Sequence, residues 1–369
     1  MTLTCTQSKQ QYSNDLPIWK SETGALLDLE HEASFPVDLI SKRLPSLWRY
    51  REAIPLVSDE HLVTMQEGFT PLINLRLKGR TIGIKQEQLF STGSYKDRGA
   101  TVLMSHAKSI GISEVVQDSS GNAGCSIAAY AAMAGIRCTI YLQADTAPAK
   151  IAQMSSYGAT IRYINGSRED VAEAVLTAAA SVYYASHSWN PFFFHGTKTF
   201  AYEICEQLGW KAPDSVVVPA GNGTLVIGCY LGFTDLLKAG IIDKMPKLIA
   251  VQAENCAPLA AAFSSGAITY GPVTTSPTLA EGIAIARPVR GEQILKYVRE
   301  SNGCFITVNE TEIKDAFLEC ACKGFYIEPT SAATMAGVLR YMENHPDEEI
   351  ISLFSGHGLK STDKIMKLI

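Results

Sequence analysis

A chain of 369 residues is longer than a single simple core usually spans, so two lobes, or one large domain with an insertion, are expected. Hydrophobic residues make up 46% and charged residues 19%, the balance of a folded globular protein and not of a disordered one. The 32 basic and 37 acidic side chains leave a formal net charge of −5 and no basic stripe for a phosphate backbone, which excludes nucleic acid as the main partner and favours small molecules.

The opening Met1-Thr2-Leu3-Thr4-Cys5-Thr6-Gln7 lacks a charged and then apolar leader pattern, and no run approaches ~18 apolar residues, so a cytoplasmic protein without a membrane partner is expected. Residues 1–35, polar between 8 and 15, read as a small accessory extension. Further along, apolar runs at 139–142, 160–164, 216–219, 248–252, 305–308 and 350–354 predict buried strands. Stretches at 127–135, 169–182, 200–209, 226–240, 310–323 and 332–344 carry apolar residues at three-to-four spacing and predict helices. Asn309, three residues before Glu312, predicts a reciprocal cap for the fifth of these helices. Strands and helices in alternation imply mostly parallel sheets covered by helices, an α/β architecture. The nine cysteines are odd in number and contain no C-x-x-C pair, which suits reduced thiols and gives no support to a metal or dithiol redox site.

Four stretches carry candidate chemistry. In Ser91-Thr92-Gly93-Ser94-Tyr95-Lys96-Asp97-Arg98-Gly99 a lysine follows a hydroxyl cluster at a helix start, where it could lose solvent and act as a Schiff-base amine; a solvated surface lysine is the alternative. Asp118-Ser119-Ser120-Gly121-Asn122-Ala123-Gly124 lets backbone N–H groups approach an anion at a helix N-terminus, or is simply a tight turn. Val218-Pro219-Ala220-Gly221-Asn222-Gly223-Thr224-Leu225 is a strand, a Gly-rich turn and a helix start, suited to one phosphate. It is neither a dinucleotide fingerprint, since Val226 holds the third-glycine place, nor a P-loop. Ser355-Gly356-His357-Gly358 closes the last strand, where open parallel sheets place ligand contacts; His357 is a general base or a turn residue.

Together, in this order, the four blocks resemble the fold-type II pyridoxal 5′-phosphate (PLP) enzymes, the tryptophan synthase β-like fold, and within them the threonine synthase family; Glu67-Gly68-Phe69-Thr70-Pro71-Leu72 is similar to that family's upstream motif. The resemblance implies two α/β domains, a large PLP-binding one over 36–104 and 191–369 and a small mobile one over 105–190. It implies that Lys96 holds the cofactor as a Schiff base and then moves the Cα proton. Asn122 then meets the cofactor's phenolic oxygen, and Gly221, Asn222, Gly223, Thr224 and Leu225 its phosphate. Ser355 meets the ring nitrogen, where a hydroxyl, unlike a carboxylate, does not hold that nitrogen protonated, so the ring is a gentler electron sink that favours departure of a leaving group over transamination. Thr92, Ser119, Ser120, Gly121 and Ala123 are the implied substrate contacts, and a homodimer the implied assembly.

The likeness has gaps. Where threonine synthases carry a phosphate-gripping arginine after an Asn-Pro pair, Asn190-Pro191 is followed here by Phe192, Phe193 and Phe194, which leaves Lys150, Lys198 or Lys85 to supply that charge. Leu3-Thr4-Cys5, Ile18-Trp19-Lys20 and Leu27-Asp28-Leu29 resemble an extension built around two zinc-binding cysteine pairs, yet only Cys5 remains, with Ser8 and Ser21 near the other places. Zinc needs four ligands, so no structural metal is expected. The expectation is a PLP-dependent carbon–oxygen lyase acting by elimination or replacement at the β or γ carbon of a small, possibly O-phosphorylated amino acid, to give threonine or a related product. The alternatives are a serine or threonine dehydratase, a cysteate- or cysteine-type β-replacement synthase, and a non-catalytic PLP-binding homologue.

Overall fold

The computed structural model of the chain describes residues 1–56, 58–144, 146 and 148–369, with the backbone alone at Arg168. These residues form two compact units, Met1–Gly68 with Lys96–Thr197, and Phe69–Tyr95 with Lys198–Ile369.

In the first unit β1 (Thr2–Cys5) pairs antiparallel with β2 (Gln11–Ser13) and β3 (Leu27–Glu30). Leu3 lies opposite Leu29 and Cys5 opposite Leu27, and period-two alternation turns all four inward. They join Leu47, Trp48, Leu103 and Tyr130 in one core, so the N-terminal extension is part of this unit's interior despite its polar composition. A second sheet is wholly parallel, in the order β8 (Thr160–Ile164), β7 (Arg137–Gln143), β6 (Glu114–Gln117), β9 (Tyr183–Tyr184). Its helices are α1 (Val37–Ile40), α2 (Lys96–Ser109), α3 (Asn122–Ala134), α4 (Pro148–Ser156), α5 (Arg168–Ala178) and α6 (Pro191–Thr197). The positions 104/105 and 190/191, where the sequence suggested domain edges, fall inside α2 and directly before α6. Both helices belong to this unit because they pack on each other at backbone range: a Cβ on Gly196 would lie 1.9 Å from the Arg98 carbonyl oxygen, and one on Gly99 2.4 Å from the Phe193 ring. His106 of α2 stacks on Phe192 at 3.5 Å, and burial pushes its imidazole down to about 3.

The second unit is built on one six-stranded sheet, ordered β12 (Cys304–Val308), β11 (Lys247–Ala253), β10 (Ser215–Pro219), β13 (Ile350–Leu353), β5 (Arg80–Lys85), β4 (Leu72–Leu77). All neighbours are parallel except β4 and β5, a hairpin closed by Lys78 and Gly79 at φ 43° and 84°, the positive values a tight primed turn needs. Strand β10 is buried on both faces, which explains its unbroken Val216-Val217-Val218 run. The sheet is covered by α7 (Thr199–Gln207), α8 (Thr224–Lys238), α9 (Pro258–Ser264), α10 (Gly291–Glu300), α11 (Glu310–Ala321), α12 (Pro329–Asn344) and α13 (Thr362–Ile365). Val217, Ile249, Val251, Phe317 and Met335 meet in its core, each worth about 1.5–3 kcal/mol of burial. The expected cap is present: the Asn309 side chain accepts from the Glu312 N–H at 3.0 Å, and the Glu312 carboxylate from the Asn309 N–H at 2.8 Å. Among the described residues no helix is long and apolar enough to cross a membrane.

Candidate active site

In the second unit three of the stretches singled out by sequence converge. Ser94 bridges Gly356 in antiparallel fashion, and the Tyr95 N–H donates to the Ser355 carbonyl at 3.1 Å. The Tyr95 hydroxyl lies 2.9 Å from Thr224 Oγ1, with both side chains buried; burial pushes the phenol's pKa up. The segment leading to Lys96 is thereby tied to the Gly-rich turn and to the end of the last strand at once. Thr92, also buried, receives the Lys360 ammonium on its carbonyl at 2.6 Å.

The Gly-rich turn joins β10 to α8. Gly223 caps α8 at φ 65° with no side chain in the cap, whereas α5 and α11 are closed by complete capping boxes. Packing alone demands these glycines: a Cβ on Gly223 would lie 2.2 Å from Ile294 Cδ1, and one on Gly221 2.9 Å from Ile283 Cα. What addresses an anion is the α8 terminus, led by the glycine and free of a capping side chain. Asn222 is half-buried beside it, and Thr224 and Leu225 are buried.

The first unit repeats the arrangement. Gly121 caps α3 without a side chain, and Asn122 is its first residue. Ser119, Ser120 and Gly121 are half-buried and Ala123 buried; Ser119 Oγ accepts from the Gly121 N–H at 3.3 Å. Gly124 is forced by the turn, since a Cβ there would lie 2.0 Å from the Ser119 carbonyl oxygen. Lys96 opens α2 in this unit, half-buried, with Nζ 5.9 Å from the centre of the Phe193 ring. Phe193, where the family likeness would want a cation nearby, is thus an apolar surface under the lysine's own amine. Lys96, Asn122 and the 119–123 turn therefore belong to the first unit, and Thr92, the 221–225 turn and Ser355 to the second.

These residues fit PLP on their own terms. The α8 terminus suits one phosphate, the Asn122 amide can donate to a phenolic oxygen, Lys96 is a half-buried primary amine, and the buried Ser94 hydroxyl has no hydrogen-bond partner among the described residues.

Two expected sources of substrate charge are engaged elsewhere. Lys85, fully buried, donates to Glu203 at 2.8 Å, to Gln207 at 2.9 Å and to the Thr70 carbonyl at 2.6 Å. Lys198, also fully buried, pairs with Asp235 at 2.8 Å, while burial pulls its pKa below the ordinary value against that partner's pull. Glu67 of the upstream motif is structural too: its carboxylate accepts from Trp48 at 3.0 Å and Tyr130 at 2.9 Å. His357 serves its turn, its Nδ1 accepting from the Leu359 N–H at 3.2 Å. At the N-terminus Ser8 and Ser21 do gather on Cys5, and the hydrogen bonds from Ser8 pull its thiol down to about 6. The sequence reading missed two side chains. Tyr95 lies inside the lysine motif, where nothing linear marks its hydroxyl as the group that reaches Thr224; Glu328, next to Ser355, gives no linear sign of that neighbour beyond a Glu-Pro helix start.

Comparison with known proteins gives a consistent relationship. The model of a family described as pyridoxal-phosphate dependent enzyme matches residues 63–356. The threonine synthase of Methanocaldococcus jannaschii is 34% identical, over 98% of this chain and 94% of that protein. The threonine synthase of Mycobacterium tuberculosis H37Rv is 36% identical over 86% and 89%. Among solved structures, the processed form of threonine deaminase isoform 2 from Solanum lycopersicum superposes with a TM-score of 0.71 over 96% of this chain and 95% of that one, at 20% identity. A pyridoxal 5′-phosphate-dependent aspartate racemase gives 0.70 over 89% and 97%, at 23% identity. The structures speak to the fold, which is that of the fold-type II enzymes. The sequence relatives, similar along nearly the whole length, decide the rest: the chain belongs to the threonine synthase family of pyridoxal-phosphate-dependent lyases.

Proposed function

We propose that this lyase removes or replaces a substituent at the β or γ carbon of a small amino acid, with threonine as the leading product, and that the residues named above divide the work. Bound PLP supplies the electron sink for bonds at the substrate's Cα. Lys96 would hold the cofactor through Nζ, and the same amine is the group placed to take and return the substrate's Cα proton. The Asn122 amide donates to the phenolic oxygen, and the backbone N–H groups of Gly221, Asn222, Gly223, Thr224 and Leu225 hold the phosphate. Ser355 meets the ring nitrogen. Thr92, Ser119, Ser120, Gly121 and Ala123 orient the substrate, the α3 terminus suiting its carboxylate. The observation that carries this reading is the meeting of Tyr95 with Thr224 and Ser355, which draws three chemically selected stretches to one place.

The substrate follows from what is engaged and what is not. Lys85 and Lys198 are committed to Glu203 and Asp235, and Phe193 lies under Lys96, all of which favours a second reading: β-chemistry on serine, threonine or an activated serine without a phosphate. Incubation with phosphohomoserine, phosphoserine, serine and threonine separates the two. Phosphate release with threonine formation supports the first, and a 2-oxo acid or a β-substituted alanine the second. The Lys96→Ala protein should lose the visible absorbance of the bound cofactor; a spectrum unchanged from wild type removes Lys96 from its role. The family likeness further suggests a homodimer working in the cytoplasm, open to test by light scattering and cell fractionation.

A further inference from the structure

Lys96 opens α2 and Asn122 opens α3, and the two helices pack on each other within the first unit. Behind these two residues a line of polar contacts crosses a core that otherwise includes Ala100, Leu103, Met104, Ala128 and Ala129. Nearest to them, the Ser126 hydroxyl of α3 donates to the carboxyl of Asp97 on α2, and both side chains are fully buried. One turn further along, Trp48 Nε1 donates to Thr101 Oγ1 of α2 at 3.1 Å and to the Glu67 carboxyl at 3.0 Å, and Glu67 also accepts from the Tyr130 hydroxyl of α3 at 2.9 Å. Asp97 and Thr101 are four residues apart, as are Asn122, Ser126 and Tyr130, so each series follows one face of its helix.

The two rungs of this ladder hold different things. The second ties residues deep in both helices, where backbone hydrogen bonds and apolar packing already fix the chain. The first joins the second residue of α2 to the fifth of α3, close to ends whose leading N–H groups have no partner inside the helix. Apolar contacts have no preferred direction and tolerate a small slide, whereas a hydrogen bond between two short side chains does not. One carboxyl oxygen of Asp97 suffices as acceptor, so the bond is available whether or not that carboxyl carries a proton.

We infer that the Ser126–Asp97 hydrogen bond makes these two side chains positioning residues: it sets the start of α2 against the start of α3, and so the Lys96 amine against the Asn122 amide. This rests on the placement of Lys96 and Asn122 on the cofactor proposed above. Without the bond the helices still pack, held by the second rung, but the bound cofactor has to order their first turns itself.

The test measures, for protein loaded with PLP, the affinity for PLP, the circular dichroism of its visible band, and the urea midpoint. PLP has no handedness of its own, so that dichroism reports how the protein holds it. Ser126→Ala should lose roughly tenfold in affinity, the size of one buried hydrogen bond, and should weaken or reshape the dichroism. Tyr130→Phe, which breaks the second rung, should lower the urea midpoint and keep both cofactor readouts at their wild-type values. Asp97→Ala should match Ser126→Ala, and the double variant should be no worse than either, as the two ends of one bond require. Wild-type affinity and dichroism in Ser126→Ala overturn the inference. So does a Tyr130→Phe protein that alters both as much, because a merely structural loss moves the two variants together. Additive losses in the double variant overturn it as well; should Asp97→Ala fail to fold, Ser126→Ala against Tyr130→Phe decides alone. Asn122→Ala separates the two levels of argument. If it changes affinity or dichroism while Ser126→Ala changes neither, the role of the hydrogen bond fails and that of Asn122 stands; if it changes neither, the placement of Asn122 fails and the inference with it.

Discussion

Replacing Lys85 by methionine tests whether this amine is an internal strut or a reserve of charge for the substrate. Its ammonium donates to Glu203, Gln207 and the Thr70 carbonyl at 2.6–2.9 Å, and both members of the ion pair are fully buried. Methionine fills the stem's volume but takes the ammonium partner away from the fully buried Glu203 carboxylate. Removing one partner of such a pair costs about 3–5 kcal/mol, most of it the penalty on the charge left behind. Taking both partners away in Lys85→Met with Glu203→Leu removes that penalty, so the double variant should recover most of the loss. Urea unfolding of wild type, both single variants and the double variant closes a cycle whose coupling term measures the pair. Substrate KM in the double variant should match wild type. A single variant less than about 1 kcal/mol below wild type, or a double variant no more stable than Lys85→Met, would refute the reasoning.

Other predictions concern pH, backbone and caps. Burial holds His106 neutral, with a pKa of about 3 in the folded chain against ~6.5 unfolded, so the unfolded chain binds the extra proton and stability falls as pH drops from about 6.5 toward 3. That slope, up to ~1.4 kcal/mol per pH unit, should vanish in His106→Phe, which retains the stack on Phe192; equal slopes in urea titrations at pH 6 and 4.5 count against it. Gly223→Ala places a Cβ 2.2 Å from Ile294 Cδ1 at φ 65°, and should destabilise by roughly 1–3 kcal/mol and weaken PLP binding in a spectrophotometric titration. Asn309→Ala should lower the unfolding free energy by about 1 kcal/mol, because the α11 terminus loses its capping acceptor; an unchanged urea midpoint would contradict this.

The α/β class was legible because parallel strands buried on both faces write themselves as continuous apolar runs: β10 and β11 begin one residue before the stretches expected at 216–219 and 248–252, and β8, though its side chains are exposed or half-buried, covers 160–164. The β4–β5 hairpin was not, because its turn is Lys78-Gly79 and β4 interleaves Arg76 between two leucines. Helix α2 also carried no clean period, since it is buried along most of its length and includes Asp97, Arg98, Thr101 and Ser105 among its inward residues. The 104/105 edge suffered from the same fact: nothing in a helix without a polar face says which unit it serves. Of the candidate site, residues lying within one motif were readable, whereas Glu328 with Ser355, Tyr95 with Thr224 and Lys85 with Glu203 are pairings across 27, 129 and 118 positions, which only tertiary packing creates.

The place of β13 has a consequence for biosynthesis. Strand β13, the latest in chain order of the six strands of this sheet, is inserted between β10 and β5, with Ile351 paired to Gly83 across more than 260 residues of chain. Until it arrives, two strands of a half-made sheet present open edges to solvent, the kind of surface that recruits chaperones or aggregates. Nascent chains stalled before residue 350 should therefore be the species most dependent on holding factors, and arrival of β13 the event that commits the second unit to its native sheet.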